Sequence, residues 1–340
     1  MIKNISDIQK KNHFSGTIFV KTTQGVLVDG SYGYANRSER LENNSSTRYG
    51  IASGCKLFTA IAICQLIEQG KLSFDAKLRD CLEYDFPNFD KEITVHHLLT
   101  HTSGIPDYFD EEEMDDFEQL WMMMPMYHIR QLEDFLPLFQ KAPMKLALAE
   151  RFHYNNAGYI LLGLIIERVY RDSFSNYVEE HIFKRAGMDR SGYFEFDQLP
   201  DNTAQGYINL SDGKWKTNIY SLPVKGGSDG GAFVTVSDMA KLWDCLMRHQ
   251  LLGKAYTQRL LQDQVRVNGD SYYGYGVWIE KKNDVIVKYH IMGYDPGVSF
   301  HSAFYPETET SIVVCSNESE GAYEIFQELE AQVNRLNKNY

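Results

Sequence analysis

An apolar stretch between Ser53 and Gly70 constrains the fold of this chain more than any other sequence feature. The stretch is long and contains no proline, the residue that most strongly interrupts a helix. It ends on Gly70, and glycine commonly occupies the position that follows the last turn of a helix. We therefore predict a buried helix here.

A serine and a lysine open this predicted helix, in the pattern Ser53-x-x-Lys56. Residues three apart share a helix face, so the Lys56 amine would lie beside the Ser53 hydroxyl. Free N–H groups in the first turn favour a developing negative charge, and a neighbouring lysine can help to deprotonate a serine nucleophile. The simpler alternative is that Ser53 is an N-cap and Lys56 a surface charge. A second copy, Ser211-x-x-Lys214, contains an Asp-Gly turn signal and is predicted to be a hairpin loop.

Strand signals lie at both ends of the chain, and helix signals lie mainly between them. Two strands are predicted within residues 15–35, and four more at 273–280, 285–290, 298–305 and 311–316. This order predicts a single α/β (α+β) domain over residues 1–340. Its mostly antiparallel sheet comes from residues 1–52 and about 220–340 and is flanked by helices, and a mainly helical lobe at about 53–219 is inserted between them.

The charge and composition of the chain exclude several classes of partner. The net charge of −12 argues against nucleic acid and against adhesion to anionic membranes. No apolar run reaches the roughly 18 residues that span a bilayer. The first residues lack the apolar segment of a signal peptide, so we expect a cytoplasmic location. The five cysteines are scattered without metal-type spacing, as is typical of reduced thiols in a cytosolic protein.

Two further segments carry groups that are suited to chemistry. Tyr154 and Asn156 precede a second predicted helix, where a tyrosine can transfer protons and an asparagine can hold a substrate amide. The same Y-x-N pattern also occurs at Tyr34 and Tyr207, so it is not specific. The segment 293–300, G-Y-D-P-G-V-S-F, lies between two predicted strands, and its glycine would let a substrate approach the backbone closely. The alternative for this segment is an ordinary hairpin turn.

His97 and His101 are four residues apart, a spacing that also occurs in metal sites on helices. The glutamate of an H-E-x-x-H motif is missing between them. We therefore expect these histidines to be structural, and we expect neither a metal nor another cofactor.

The order of these segments resembles the serine β-lactamase and penicillin-binding-protein superfamily, and within it the class C β-lactamase-like branch. The resemblance covers nearly the whole chain and implies a β-lactamase/transpeptidase-like fold that works without a cofactor. The matching segments are L-L-T-H-T-S-G-I-P at 98–106, F-H-Y-N-N-A-G-Y at 152–159, A-G-M at 186–188 and V-V-C-S-N at 313–317.

The resemblance implies a role for each matching residue. Ser53 would be the acylated nucleophile, with its own N–H forming half of an oxyanion hole. Lys56 would activate Ser53 and stabilise charge. Tyr154 would be the base for acylation and, together with Lys56, would relay the proton to the leaving group. Asn156 would position the substrate amide, and the N–H of Tyr294 would complete the oxyanion hole.

The third motif of this branch is altered here. It usually reads K-[TS]-G or H-x-G, whereas the matching slot is Ile291-Met292-Gly293, with His290 one position early. Gly293 keeps the glycine of the substrate-binding strand. The cation that would bind a substrate carboxylate is missing or displaced to His290. This change disfavours penicillins and D-Ala-D-Ala peptides and leaves esters and amides more open.

The sequence therefore predicts a serine hydrolase that forms an acyl-enzyme on Ser53. Its substrate would be a small molecule or short peptide, of the β-lactam, D-Ala-type peptide, amide or ester class. The altered third motif keeps one alternative open, a catalytically silent relative that binds peptidoglycan fragments or assembles with itself. The motifs do not distinguish a β-lactamase from a carboxypeptidase or an esterase, and they leave the oligomeric state open.

Overall fold

The computed structural model describes residues 14–337, and its largest element is an eight-stranded antiparallel sheet. In chain order, the strands of these residues are β1 (Gly16–Thr22), β2 (Gly25–Tyr32), β3 (Tyr34–Asn36), β4 (Leu41–Glu42), β5 (Tyr49–Gly50), β6 (Tyr207–Asn209), β7 (Trp215–Thr217), β8 (Phe233–Val234), β9 (Val265–Asn268), β10 (Ser271–Tyr273), β11 (Trp278–Lys282), β12 (Val285–Asp295), β13 (Val298–Tyr305) and β14 (Thr310–Ser316). The large sheet has the order β2-β1-β14-β13-β12-β11-β10-β9. Strand β1 pairs with β14, with Ile18 opposite Val314, which confirms the predicted sheet built from both ends of the chain.

Most of the helices lie between the two groups of strands, as predicted. The α-helices of the described residues are α1 (Lys56–Glu68), α2 (Leu78–Cys81), α3 (Val95–Leu99), α4 (Leu120–Met123), α5 (Asn156–Tyr170), α6 (Phe174–Val178), α7 (Lys184–Ala186), α8 (Val236–Met247), α9 (Lys254–Leu260) and α10 (Ala322–Asn337), and α10 follows the last strand. Within residues 14–337, every helix is too short or too polar to cross a bilayer. The lobe boundaries at about residues 53 and 220 stay a prediction.

Helix α1 is the buried helix that the sequence predicts. All of its residues from Lys56 to Ile67 are buried. Its C-terminal end is closed by two backbone hydrogen bonds of 2.9 Å, from Gly70 to the Ile67 carbonyl and from Lys71 to the Leu66 carbonyl. Gly70 has a φ of +69°, a left-handed conformation that glycine adopts without strain. The glycine that ends the apolar stretch therefore ends the helix as well.

The start of the helix differs from the prediction. Residues Ala52–Cys55 form a 3₁₀ turn, and the α-helix begins only at Lys56, so Ser53 lies before the α-helix and not in its first turn. In a 3₁₀ turn, residues three apart are nearly eclipsed. The turn therefore keeps the side chains of Ser53 and Lys56 on the same side.

The two faces of the large sheet are covered by different helices. One face packs against α8, and α1 and α5 belong to the same larger core, to which β12 contributes Ile291 and β13 contributes Phe300. The other face packs against α10 in a smaller core that includes Ile18 of β1 and Phe326 of α10. Side chains alternate between the faces along each strand, so residue parity decides which core a side chain joins.

The second S-x-x-K copy lies in a hairpin loop, as predicted. Strands β6 and β7 pair antiparallel, with Asn209 opposite Trp215. Ser211 and Lys214 lie in the loop between them, and both are exposed. This loop gives Lys214 no buried partner of the kind that surrounds Lys56.

His290 and His301 form a stacked pair on the α10 side of the sheet. Their ring centroids are 5.4 Å apart, and their exposed fractions are 6% and 2%. Among the described residues, both ring nitrogens of His301 and Nδ1 of His290 have no hydrogen-bond partner. Burial lowers the pKa of His290, and it lowers the pKa of His301 well below its ordinary value. Protonating this pair in the folded protein is therefore costly.

Acidification is expected to destabilise the fold through this pair. An unfolded histidine binds a proton below about pH 6.5, whereas the folded chain resists it because both pKa values are lowered. The unfolded state then binds more protons, so stability falls as the pH drops below about 6.5. His301→Phe is expected to recover about 1 kcal/mol at about pH 5, measured by urea unfolding at about pH 5 and pH 7. The exposed His128→Gln is the control, and an identical pH slope in all three proteins would contradict the prediction.

Candidate active site

The amine of Lys56 is held by three acceptors next to Ser53. Lys56 Nζ donates to Ser53 Oγ at 2.9 Å, to Asn156 Oδ1 at 2.8 Å and to the backbone carbonyl of Asp229 at 2.8 Å. The side chain is 2% exposed, so water does not compete for these contacts. Ser53 itself is only half-buried. A buried lysine therefore points at a serine hydroxyl that a ligand can reach.

The turn that carries Ser53 is strained and tightly packed. Ala52 has a φ of +44°, which is uncommon for a residue with a side chain. Strand β12 passes close to the turn at Gly293, where a Cβ atom would lie 2.1 Å from the Ile51 carbonyl oxygen and 2.8 Å from the Ser53 nitrogen. Only glycine permits this approach. The backbone of β12 therefore lies directly beside the Ser53 amide.

The start of helix α5 brings Asn156 to Lys56. The side chain of Asn155 caps the helix by accepting a hydrogen bond of 2.7 Å from the Gly158 N–H. The carboxylate of Asp107 accepts from the N–H groups of Asn156 at 2.6 Å and Ala157 at 2.9 Å. These bonds use the unpaired N–H groups of the first helical turn. Burial nevertheless raises the pKa of Asp107 to about 7.

Tyr154, just before this helix, lies over Lys56. Lys56 Nζ is 4.9 Å from the centroid of the Tyr154 ring. Burial and the charge of Glu111 raise the pKa of Tyr154 well above its ordinary value, and a hydrogen bond with Ser53 acts in the opposite direction. The resting side chain is therefore a neutral phenol. A tyrosine that is ionised at rest would need a lowered pKa, whereas the pKa of Tyr154 is raised. Any proton transfer through Tyr154 therefore starts from the neutral phenol.

His101 holds the Tyr154 segment in place. Its Nδ1 accepts a hydrogen bond of 3.0 Å from the Asn155 N–H, and its Nε2 lies 3.2 Å from the Tyr273 hydroxyl. Its ring lies 4.5 Å from the Tyr154 ring, centroid to centroid. Burial and the charge of Lys56 lower the pKa of His101 well below its ordinary value. His101 is thus a neutral histidine whose two ring nitrogens are engaged with other protein groups. His97 contacts the cap of its own helix, at Thr94.

A pocket of about 730 Å³ opens at Ser53. This volume lies within the range of sites that bind small molecules. Tyr154, Asn156, Gly293 and Tyr294 line it together with Ser53. Its apolar wall is built from several elements and includes Phe109, Phe117, Leu222, Phe233 and Trp278.

The sequence matches the family described as Beta-lactamase over residues 1–332. This chain belongs to the beta-lactamase family. Penicillin-binding protein 4* of Bacillus subtilis (strain 168) is 27% identical over 332 residues, which cover 92% of this chain and 70% of that protein. The penicillin binding protein from Bacillus halodurans is 60% identical, with a TM-score of 0.93 over 96% of this chain and 99% of that one. The predicted family and fold are therefore confirmed.

A more distant member of the fold is a D-amino acid amidase from Ochrobactrum anthropi SV3. Its structure has a TM-score of 0.79 and covers 100% of this chain and 98% of that chain. The two sequences are 17% identical, so this likeness concerns the fold.

The structure does not bring His290 to the pocket of this beta-lactamase-family chain. His290 lies three residues before Gly293 on β12 and is absent from the described lining of the pocket. Its ring stacks on His301, and its Nε2 lies 3.3 Å from Glu280 Oε1. The expectation that His290 supplies the displaced cation therefore fails on geometry. Tyr294 lines the pocket, and the oxyanion role of its N–H stays a prediction.

Two acidic residues at this site were missed by the sequence reasoning. Asp107 holds the N–H groups at the start of α5, and Asp229 supplies the carbonyl that accepts from Lys56. The carboxylate of Asp229 also accepts a hydrogen bond from the Tyr108 hydroxyl. A signal for Asp229 was present, because it lies within the glycine-rich segment 226–231 that indicates a tight turn. The sequence does not show that this turn folds over Lys56.

Proposed function

We propose that this protein is a serine hydrolase that forms an acyl-enzyme on Ser53. The observation that carries the proposal is the 2.9 Å contact between Lys56 Nζ and Ser53 Oγ inside the pocket. A serine hydroxyl becomes an effective nucleophile when a positioned neighbour assists removal of its proton. Membership in the beta-lactamase family and the amidase among its structural neighbours support hydrolase chemistry.

In the first half of the reaction, Ser53 Oγ attacks the acyl carbon of the substrate. As the new C–O bond forms, the Ser53 proton moves to the Tyr154 oxygen and the phenolic proton of Tyr154 moves towards the leaving atom, so the phenol carries no extra proton, while Lys56 holds the Ser53 oxygen. The substrate carbonyl becomes an oxyanion, which the N–H groups of Ser53 and Tyr294 stabilise. Asn156 holds the substrate amide while its own Oδ1 keeps Lys56 in place.

In the second half, the bond between the acyl carbon and the leaving group breaks. The leaving nitrogen or oxygen takes the phenolic proton of Tyr154, which the Ser53 proton replaces, and an ester of Ser53 remains. Water then attacks this ester and gives a proton to the Tyr154 oxygen, while the phenolic proton of Tyr154 moves to Ser53 Oγ. The acid leaves, and both hydroxyls are restored.

Amides and esters are the favoured substrates within the classes predicted from the sequence. The slot of the third-motif cation reads Ile291-Met292-Gly293, and His290 faces the other side of the sheet. Lys216 lines the pocket, but its amine is bound to both carboxylate oxygens of Glu118 at 2.7 and 2.8 Å. Among the described residues that line the pocket, a substrate carboxylate therefore finds no lysine or arginine that is not already paired.

Covalent labelling tests the proposal. The protein is incubated with a fluorophosphonate and with a fluorescent penicillin, and the adduct is located by mass mapping. We expect an adduct on Ser53 that disappears in Ser53→Ala. A panel of nitrocefin, p-nitrophenyl esters and D-alanyl peptides, run on both proteins, then identifies the reaction class. Absence of labelling by both reagents and of turnover on the panel would favour the catalytically silent relative, which the altered third motif keeps as the second candidate.

Asn156→Ala is expected to lower kcat/KM by about 10²-fold, because the substrate amide loses one positioning contact and Lys56 loses one acceptor. The measurement is steady-state hydrolysis of the best substrate of the panel. Asn176→Ala, on the exposed surface of α6, is the matched control and should behave as the wild type. Equal kinetics in Asn156→Ala and Asn176→Ala would remove Asn156 from the site.

A further inference from the structure

The pocket beside Ser53 is acidic. Its described lining includes the carboxylates of Glu111, Asp115, Asp116, Glu118, Asp229 and Asp295. The lysines near them are already engaged, Lys216 with Glu118 and Lys56 with three acceptors. The carboxylates of the lining therefore exceed the cations available to them. A ligand that carries positive charge would find a complementary surface here.

Asp295 is the acidic residue of this set that most clearly lacks a partner for its side chain. It lies two residues after Gly293 on β12, so the two residues share a face of the sheet, and both line the pocket. Among residues 14–337, its carboxylate has neither a hydrogen-bond donor nor a cation as a partner. Burial and the charges of Asp229 and Glu111 raise the pKa of Asp295 to about 8, and the charge of Lys56 acts in the opposite direction. With a pKa of about 8, Asp295 binds a proton at neutral pH in the free protein, and a bound cation would favour its charged carboxylate because it offsets the repulsion among these acids.

Asn218 provides an independent indication on the same wall. Its side chain is 2% exposed, and it lines the pocket. Its Nδ2 donates to the carbonyl of Pro296, the residue after Asp295, at 2.9 Å. Its Oδ1 has no hydrogen-bond partner among the described residues. A buried acceptor without a donor is costly, so this wall lacks a group that donates hydrogen bonds.

The remaining wall of the pocket is apolar and aromatic. Phe109, Phe117 and Trp278 line it together with Phe233. Aromatic faces attract cations and also bury apolar groups. The pocket therefore fits a ligand that combines a positive donor group with an apolar side chain.

We infer that the pocket takes acyl donors with a free ammonium group near the reacting carbon, with Asp295 as the partner of that ammonium. The substrate class is amides or esters of amino acids, or of peptides with a free amino terminus, that carry an apolar side chain. This inference rests on the proposed function, since Ser53 has to be acylated by the same molecule. The third-motif cation of the family would bind a negatively charged carboxylate, whereas the ligand group inferred here is positively charged.

The first test compares three phenylalanine p-nitroanilides that differ only at the amino group, which is free, N-acetylated or N-succinylated. Each is used as both enantiomers, so that stereochemistry does not obscure the effect of charge. We expect kcat/KM for the better free-amine enantiomer to exceed that of its N-acetyl analogue by about 10-fold or more. Equal or faster hydrolysis of the N-acetyl or N-succinyl compounds would overturn the inference.

Two variants locate the effect. Asp295→Asn is expected to reduce the ratio of free-amine to N-acetyl kcat/KM by about 10-fold or more. Asp284→Asn makes the same chemical change in an exposed turn with a φ of +62°, which asparagine tolerates, and should keep the wild-type ratio. A ratio that is equal in wild type and Asp295→Asn would remove Asp295 from substrate recognition.

A measurement on the unmodified protein remains decisive if Asp295→Asn does not fold. Phenylalanine amide is expected to slow fluorophosphonate labelling of Ser53, and N-acetylphenylalanine amide is expected to protect at least about 10-fold less well. Equal protection by the two compounds overturns the inference while labelling of Ser53 still upholds the acyl-enzyme. Absence of both labelling and turnover overturns the proposed function, and the inference with it.

Discussion

Lys56→Ala is expected to lower the rate of Ser53 acylation by about 10²- to 10⁴-fold, and Ser53→Ala is expected to form no adduct at all. The amine of Lys56 lies 2.9 Å from Ser53 Oγ, and in the proposed mechanism it assists removal of the Ser53 proton. Its loss also leaves the Asn156 Oδ1 and the Asp229 carbonyl without their donor. The measurement is the rate of fluorophosphonate adduct formation, followed by intact-protein mass.

The chain contains a matched control for this experiment. Ser211 and Lys214 have the same spacing as Ser53 and Lys56 but lie in the exposed loop between β6 and β7. Ser211→Ala and Lys214→Ala should therefore label at the wild-type rate. Thermal unfolding of each variant separates loss of chemistry from loss of fold. Near-normal acylation in a folded Lys56→Ala protein would refute the role proposed for the lysine.

Gly293→Ala is expected to have the second largest effect, a loss of about 10²-fold or more in kcat. The new methyl carbon would lie 2.1 Å from the Ile51 carbonyl oxygen, and both that oxygen and the Ser53 nitrogen are backbone atoms. Backbone atoms cannot rotate away as a side chain can, so β12 and the turn at 52–55 have to move apart. That movement would separate the Ser53 and Tyr294 amides, which face one oxyanion in the proposed mechanism.

Gly30→Ala controls for the loss of a glycine from the same sheet. Its added carbon would meet the side chains of Tyr32 at 3.1 Å and Ile18 at 3.5 Å, and a side chain can adjust by a few tenths of an ångström. Gly30 lies on β2, at the edge of the sheet. We expect Gly30→Ala to retain wild-type kcat in steady-state assays. Unchanged kcat in Gly293→Ala would show that β12 does not have to approach the nucleophile this closely.

Features with a local physical cause were predicted well from the sequence. The apolar stretch after Ser53 forms α1, and Gly70 ends it because the two closing hydrogen bonds require a left-handed residue. The Asp-Gly signal near Ser211 marks a hairpin loop. The strand predicted at 298–305 is β13, which runs from Val298 to Tyr305. Each of these patterns acts over a few residues, so no distant partner is needed to recognise it.

The secondary-structure prediction is wrong where a contact between distant parts of the chain determines the local structure. The strand predicted at 273–280 is interrupted, because β10 ends at Tyr273 and β11 begins at Trp278. Between them Gly276 has a φ of +69°, and a Cβ atom there would lie 2.6 Å from the Lys56 carbonyl oxygen. The chain bends at this point to pass closely over the start of α1. The local sequence pattern does not predict that contact.

His290 is a case that required the tertiary structure. Alternation along β12 does not decide which residues reach the pocket, because Met292 and Tyr294, an even number of positions from His290, both line it. The ring of His290 instead stacks on His301, and His290 is absent from the described lining of the pocket.

The sequence by itself determined the family, the buried helix and the order of the segments that carry Ser53, Lys56, Tyr154 and Asn156, because these depend on local patterns along the chain. Tertiary structure alone decided that the Asp229 carbonyl closes over Lys56 and that Asp295 faces the same pocket. Lys56 and Asp229 are 173 positions apart. Contacts across such distances depend on how the sheet and helices pack, and no short-range pattern encodes them.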